Sequence, residues 1–155
     1  MMQRVKKYLL LLTCVAALFG CDIPTPDPTP ADKPVQLESC WHLVKYYGVA
    51  VDADIFIDFG EDGKFVIYQR TEELTYTVFN GTYTADKVNG VVSGVYDDGT
   101  PWLCDYNYVV DTENKLLTMT NVDNSSEVSV YESSEVPASA TLSSRAASAY
   151  DVKPL

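Results

Sequence analysis

Ala53-Asp-Ile-Phe-Ile-Asp-Phe-Gly-Glu-Asp-Gly-Lys-Phe-Val-Ile-Tyr-Gln-Arg-Thr71 is the stretch that decides the fold class. On either side of Gly60-Glu-Asp-Gly63 the residues alternate with period two. Ile55, Ile57 and Phe59 take one face of the first run, and Asp54, Phe56 and Asp58 take the other. In the second run Phe65 and Ile67 oppose Val66, Tyr68 and Arg70. Successive side chains of a strand point to opposite faces, so both runs read as strands. The Asp-Gly between them supplies the positive φ that a tight hairpin requires.

The same pattern continues outward. Trp41 and Leu43 alternate with His42 and Val44 in an opening strand. After the central hairpin, strands are expected over 74–84, 88–96, 102–110, 116–120 and 127–132. Gly81 marks a bend or bulge in the first of these. Asp97-Asp-Gly-Thr-Pro101 and Asp111-Thr-Glu-Asn114 read as turns, and Pro137 ends the last strand. Eight short strands with turns at regular spacing, and no room for a long crossover helix, predict an all-β, eight-stranded antiparallel up-and-down barrel. A β-sandwich is the alternative. Residues 138–155 are rich in Ala and Ser. They read either as a frayed tail or as a short helix or arm packed across a barrel end.

Composition bounds the function. The chain has 155 residues, enough for one domain, with 11 Tyr, 2 Trp and 5 Phe, residues that favour strands. Its formal charge of -11 disfavours a nucleic-acid partner, which needs clustered Lys and Arg. One histidine excludes the usual multi-histidine zinc sites, and no cofactor is expected.

The N-terminus carries an address. Arg4, Lys6 and Lys7 precede an apolar run from Tyr8 to Phe19, the length of a signal-peptide core and short for a bilayer span. Leu18-Phe19-Gly20-Cys21 resembles the bacterial lipobox, which implies cleavage before Cys21 and acylation of that residue, palmitate included. Residues 1–20 are then a lipoprotein signal peptide. Residues 21–36 form a Pro-rich tether, since Asp22-Ile-Pro-Thr-Pro-Asp-Pro-Thr-Pro30 favours extended polyproline II. The domain spans 37–137. Several acyl chains would hold the protein stably on a membrane, while the acidic domain would be repelled by anionic headgroups. The expected location is the cell envelope, lipid-anchored at the outer membrane, with the face of that membrane left open.

A second resemblance rests on an ordered set of segments: Leu37-Glu-Ser-Cys-Trp41-His-Leu43, Ile55-Phe-Ile-Asp-Phe59 with Glu61-Asp-Gly-Lys-Phe65, Asn80-Gly-Thr-Tyr83, Gly94-Val-Tyr-Asp-Asp-Gly-Thr-Pro-Trp102, Leu116-Leu-Thr-Met-Thr120, Val130-Tyr131 and Val136-Pro137. In this order they resemble the lipocalin-like domains of small Bacteroides-type lipoproteins. Lipocalins usually open with Gly-x-Trp; here Ser39 stands in place of Gly. The resemblance implies a calycin-like barrel and binding of a small apolar or amphipathic ligand.

The candidate ligand-lining residues are Trp41, Tyr83, Tyr96, Trp102, Tyr106, Tyr108 and Tyr131, flat apolar side chains of which the tyrosines also offer a hydroxyl. Core packing is the competing explanation for the same rings. Cys40 and Cys104 are the cysteines left once Cys14 goes with the signal and Cys21 takes the lipid. They form either a disulfide, as an exported protein allows, or two separate buried thiols; inward tryptophans would aim them apart.

Enzymatic chemistry is not expected. His42 neighbours an inward Trp41 and so faces outward, and no Gly-x-Ser-x-Gly motif occurs. The acids of Glu61-Asp62-Gly63 and Asp97-Asp98-Gly99 read as turn residues, with calcium binding the alternative. Expected partners are therefore the membrane, through the lipid, and a small apolar or amphipathic ligand. The alternative is a non-enzymatic interaction subunit with a plugged barrel and an envelope protein as partner.

Overall fold

The computed structural model describes residues 36–71 and 74–155. The expected signal segment, lipidated Cys21 and Pro-rich tether up to residue 35 fall outside them. The strands are β1 (Cys40–Tyr46), β2 (Val49–Ala50), β3 (Asp54–Phe59), β4 (Lys64–Arg70), β5 (Tyr76–Asp86), β6 (Val91–Tyr96), β7 (Tyr106–Asp111), β8 (Leu116–Asn121), β9 (Val128–Ser134) and β10 (Ser144–Ala146), with a short helix α1 (Ala138–Leu142).

Eight of these close a ring. β1 pairs β3, and β3 to β9 then follow one another, each antiparallel to the next. β9 returns to β1, with Trp41 opposite Ser133 and Leu43 opposite Tyr131. The fold is a closed, eight-stranded up-and-down barrel and not a sandwich. Closure pairs each of the eight ring strands on both sides, where an open sheet of this length would expose two long edges.

Period-two patterning sets the inside. Trp41, Ile57, Phe59, Phe65, Ile67, Val92, Leu117 and Met119 are fully buried within the ring. Each such side chain stabilises by roughly 1.5–3 kcal/mol relative to exposure. The turns follow their residues. Gly63 and Gly99 take positive φ, and the Asp62 and Asp98 carboxylates accept the backbone N–H groups of Lys64 and Thr100. That is the turn chemistry of the sequence reading.

The sixth expected strand begins later than the alternation suggests. Residues 101–105 are irregular and β7 starts at Tyr106. Pro101 has no N–H to give a ladder, and β6 pairs β7 only at Val91 and Val92. Trp102 still points inward, its backbone N–H donating to the Gly94 carbonyl at 2.9 Å.

The two ends of the barrel differ. At one end the chain enters through Leu37, with Glu38 paired to Lys87 at 2.6 Å, beside the β3–β4 and β5–β6 turns. At the other end lie the β4–β5 and β8–β9 connections and the β1–β2 hairpin.

Residues 138–155 are packed rather than frayed. α1 places Ala140 on the outer face of the barrel, against Phe56 and Tyr76. β10 then runs parallel to the start of β5, with Arg145 opposite Thr77. β6 pairs β5 only from Gly81 onward, so β10 fills the seam that β6 leaves open. Beyond it the chain turns back and buries Leu155 in the main core. The folded unit therefore continues past residue 137. Among the described residues no helix is long and apolar enough to cross a membrane.

Candidate functional site: the mouth of the barrel

The inward row of β4 reads Phe65, Ile67, Gln69, and that of β5 reads Thr77, Phe79, Gly81. Gln69 and Thr77 face each other in register. At the end of the barrel opposite the chain entry, this places polar side chains above an aromatic interior. Gln69, Thr71, Thr75, Thr77 and Phe79 line a partly open cavity of about 230 Å³ there, together with residues 150–152 and Arg145. Gln69 Oε1 is buried without a hydrogen-bond partner. An amide oxygen that has lost water and gained no donor costs free energy.

The strap over this mouth is fastened by charge. Arg145 holds Asp151 through two hydrogen bonds of 2.8 and 2.7 Å. These bonds, with help from Ser148, hold the Asp151 carboxyl far below the usual range. Lys153 donates to Asp98 at 2.7 Å, lowering that carboxyl to about 2, and lies over the Tyr96 ring at 5.4 Å. Leu155 is anchored last. Its N–H donates to the Tyr96 hydroxyl at 3.1 Å, and that hydroxyl donates to the Leu155 carbonyl at 3.0 Å.

The aromatic candidates of the sequence are distributed along the barrel rather than gathered at the mouth. Tyr96 stands beside it, 6.0 Å from Phe79 and bonded to Leu155. Trp102 packs on Phe65 at 5.2 Å and on Tyr106 at 6.1 Å, deep in the interior with Trp41 and Tyr131. Tyr83 closes the entry end, donating to the Gly60 carbonyl at 2.8 Å and meeting Phe59 edge-on at 4.9 Å. Tyr108 is half-buried near the same end, its N–H bonded to Gly90. Burial pushes the Tyr83 and Tyr96 hydroxyls up to about 12 and those of Tyr106 and Tyr131 higher still. The phenols stay neutral and can both donate and accept.

Cys40 and Cys104 are free thiols. Cys40 packs with the outer cluster under α1, and Cys104 against the interior cluster. They belong to different layers of the molecule. His42 faces outward, half-buried and stacked on Phe56 at 4.4 Å. Its Nε2 lies 3.9 Å from Asp54 Oδ1. Asp54 is itself held by Arg70 and by the Tyr76 hydroxyl, which keeps its carboxyl below the ordinary value. These groups border an open cleft of about 480 Å³ on the outer face. Among the described residues no group of three or more His, Cys, Asp and Glu is placed to hold a metal ion.

The mouth residues Gln69, Thr71, Thr75 and Thr77, and the strap, escaped the sequence reading. One signal was available: a polar Gln at the inward position of an otherwise apolar alternation. The sequence matches no protein-family model and no curated protein.

Proposed function

We propose that this protein is a lipid-anchored component of the cell envelope, held at the outer membrane through Cys21. Its barrel binds a small apolar or amphipathic ligand at the mouth, and it performs no catalysis. The observation that carries this reading is the unpartnered Gln69 Oε1 in a cavity whose floor is Phe79 and whose rim is three threonines. The lining is chiefly polar, with Phe79 and Val152 its apolar members, and convergent polar groups over an apolar patch orient a small amphipathic ligand. The lipobox-like Leu18-Phe19-Gly20-Cys21 and the lipocalin-like order of segments support the anchor and the binding role.

A second reading has its own support. Interior ring centroids lie 4.9–6.3 Å apart, which suits a plugged barrel that presents its outside to an envelope protein. Native mass spectrometry of the protein purified from a lipid-containing host separates the two. A small-molecule adduct lost on denaturation supports the binder. A bare protein mass at every concentration, joined by cross-links to an envelope protein, supports the plugged subunit. The same spectra read the acyl mass on Cys21.

A further inference from the structure

Leu155 is 3% exposed and belongs to the same core cluster as Phe79 and Tyr96. Nothing in the ladder of the barrel requires it: the ring is closed by β9 on β1. It is held by one side chain's hydroxyl, which supplies both a donor and an acceptor to its backbone. The rest of its segment is attached by ion pairs at the rim, Lys153 to Asp98 and Arg145 to Asp151, whose lysine and arginine remain partly exposed. An apolar group buried at a mouth, with its polar ends satisfied by one phenol and its tether fixed by partly solvated charges, has the arrangement of a bound ligand.

We propose that residues 148–155 are an intramolecular stopper: Leu155 fills the core space beside the mouth cavity, next to Phe79 and Tyr96, and a ligand that reaches inward from the cavity does so by expelling it. This rests on the mouth-binding reading above and names the chemistry that the site accepts. The ligand carries a compact or linear apolar portion and a head that both donates and accepts a hydrogen bond, such as an amide, so that Tyr96 keeps the two bonds it now gives Leu155. β10 stays in place as the hinge, because its ladder to Tyr76–Val78 is independent of Leu155. Competition of this kind lowers apparent affinity by the fraction of molecules in which the mouth is open.

The test is calorimetric titration of the full chain with decanamide, together with amide hydrogen exchange over residues 144–155. Binding to the wild-type chain should be accompanied by loss of protection at Leu155 while the Ala147 amide, bonded to Val78, stays protected. Leu155→Ala should bind decanamide about tenfold more tightly or better, because the weakened stopper competes less. Lys153→Met, which removes the ion pair to Asp98 and the cation over the Tyr96 ring, should shift affinity in the same direction. Equal affinities in all three proteins with Leu155 still protected would overturn the stopper and leave the binding reading standing. No heat with any of the three would overturn both.

Discussion

The indole of Trp102 occupies the space that a side chain on Gly94 would need: a Cβ there would stand 2.6 Å from Trp102 Cζ2. The glycine is what lets an aromatic from an irregular connection reach the interior through the wall of β6. Gly94→Ala must displace the indole or bend the strand, and is expected to destabilise by about 1–3 kcal/mol. Gly81→Ala should cost at least as much, since its Cβ would meet the Phe65 ring at 2.6 Å and the backbone carbonyl of Val95. Urea unfolding of each variant measures these losses.

The interior phenols should resist alkali. Tyr96 and Tyr83 are raised to about 12 by burial, whereas an unfolded tyrosine ionises near pH 10, a value of about 10. A raised folded value means stability that is complete below about pH 10 and drains away as pH rises towards 12. Phenolate absorbance of the buried set, Tyr83 and Tyr96 among them, should therefore rise late, in one step that coincides with loss of the far-ultraviolet sheet signal.

Acid should loosen the strap. Asp98 is lowered to about 2, first by its hydrogen bond to Lys153. A lowered carboxyl contributes stability that is present above its unfolded value of about 4 and is lost as pH falls through the folded value. Exchange of the amides in residues 151–155, corrected for intrinsic rates, should accelerate below about pH 4. Asp98→Asn should show the accelerated rate already at neutral pH.

The barrel was legible because period-two alternation is a local property: Ile55, Ile57 and Phe59 point one way whatever the strand pairs with. Closure of β9 on β1 follows from strand count and short connections. The strap was not legible, since Ala and Ser carry little pattern and Leu155 is a single apolar residue whose burial depends on a distant phenol. Trp102 points inward from an irregular connection, where alternation predicts a strand. Its backbone N–H donates to the Gly94 carbonyl across the wall. Gln69 was passed over because a polar residue on a strand is ordinary until its face is known.

The thiols should react in a fixed order. Burial raises Cys40 to about 12, and Cys104 is raised less, also chiefly by burial. The thiolate is the nucleophile, so a disulfide reagent at pH 8 should label Cys104 before Cys40, and both only slowly until the chain is unfolded. Peptide mapping of the labelled protein assigns the order; a mass two hydrogens short, restored by reductant, would mean that the two are joined instead.

The claim that the mouth between β4, β5 and the strap is the binding site is tested most directly by the two-dimensional amide spectrum of the full chain, titrated with decanamide. Shifts that concentrate on Gln69, Thr71, Thr77 and Phe79, with the Gln69 side-chain amide among the largest, are the predicted result. Shifts confined to the outer face around His42 and Asp54, or an unchanged spectrum at saturating ligand, would contradict it.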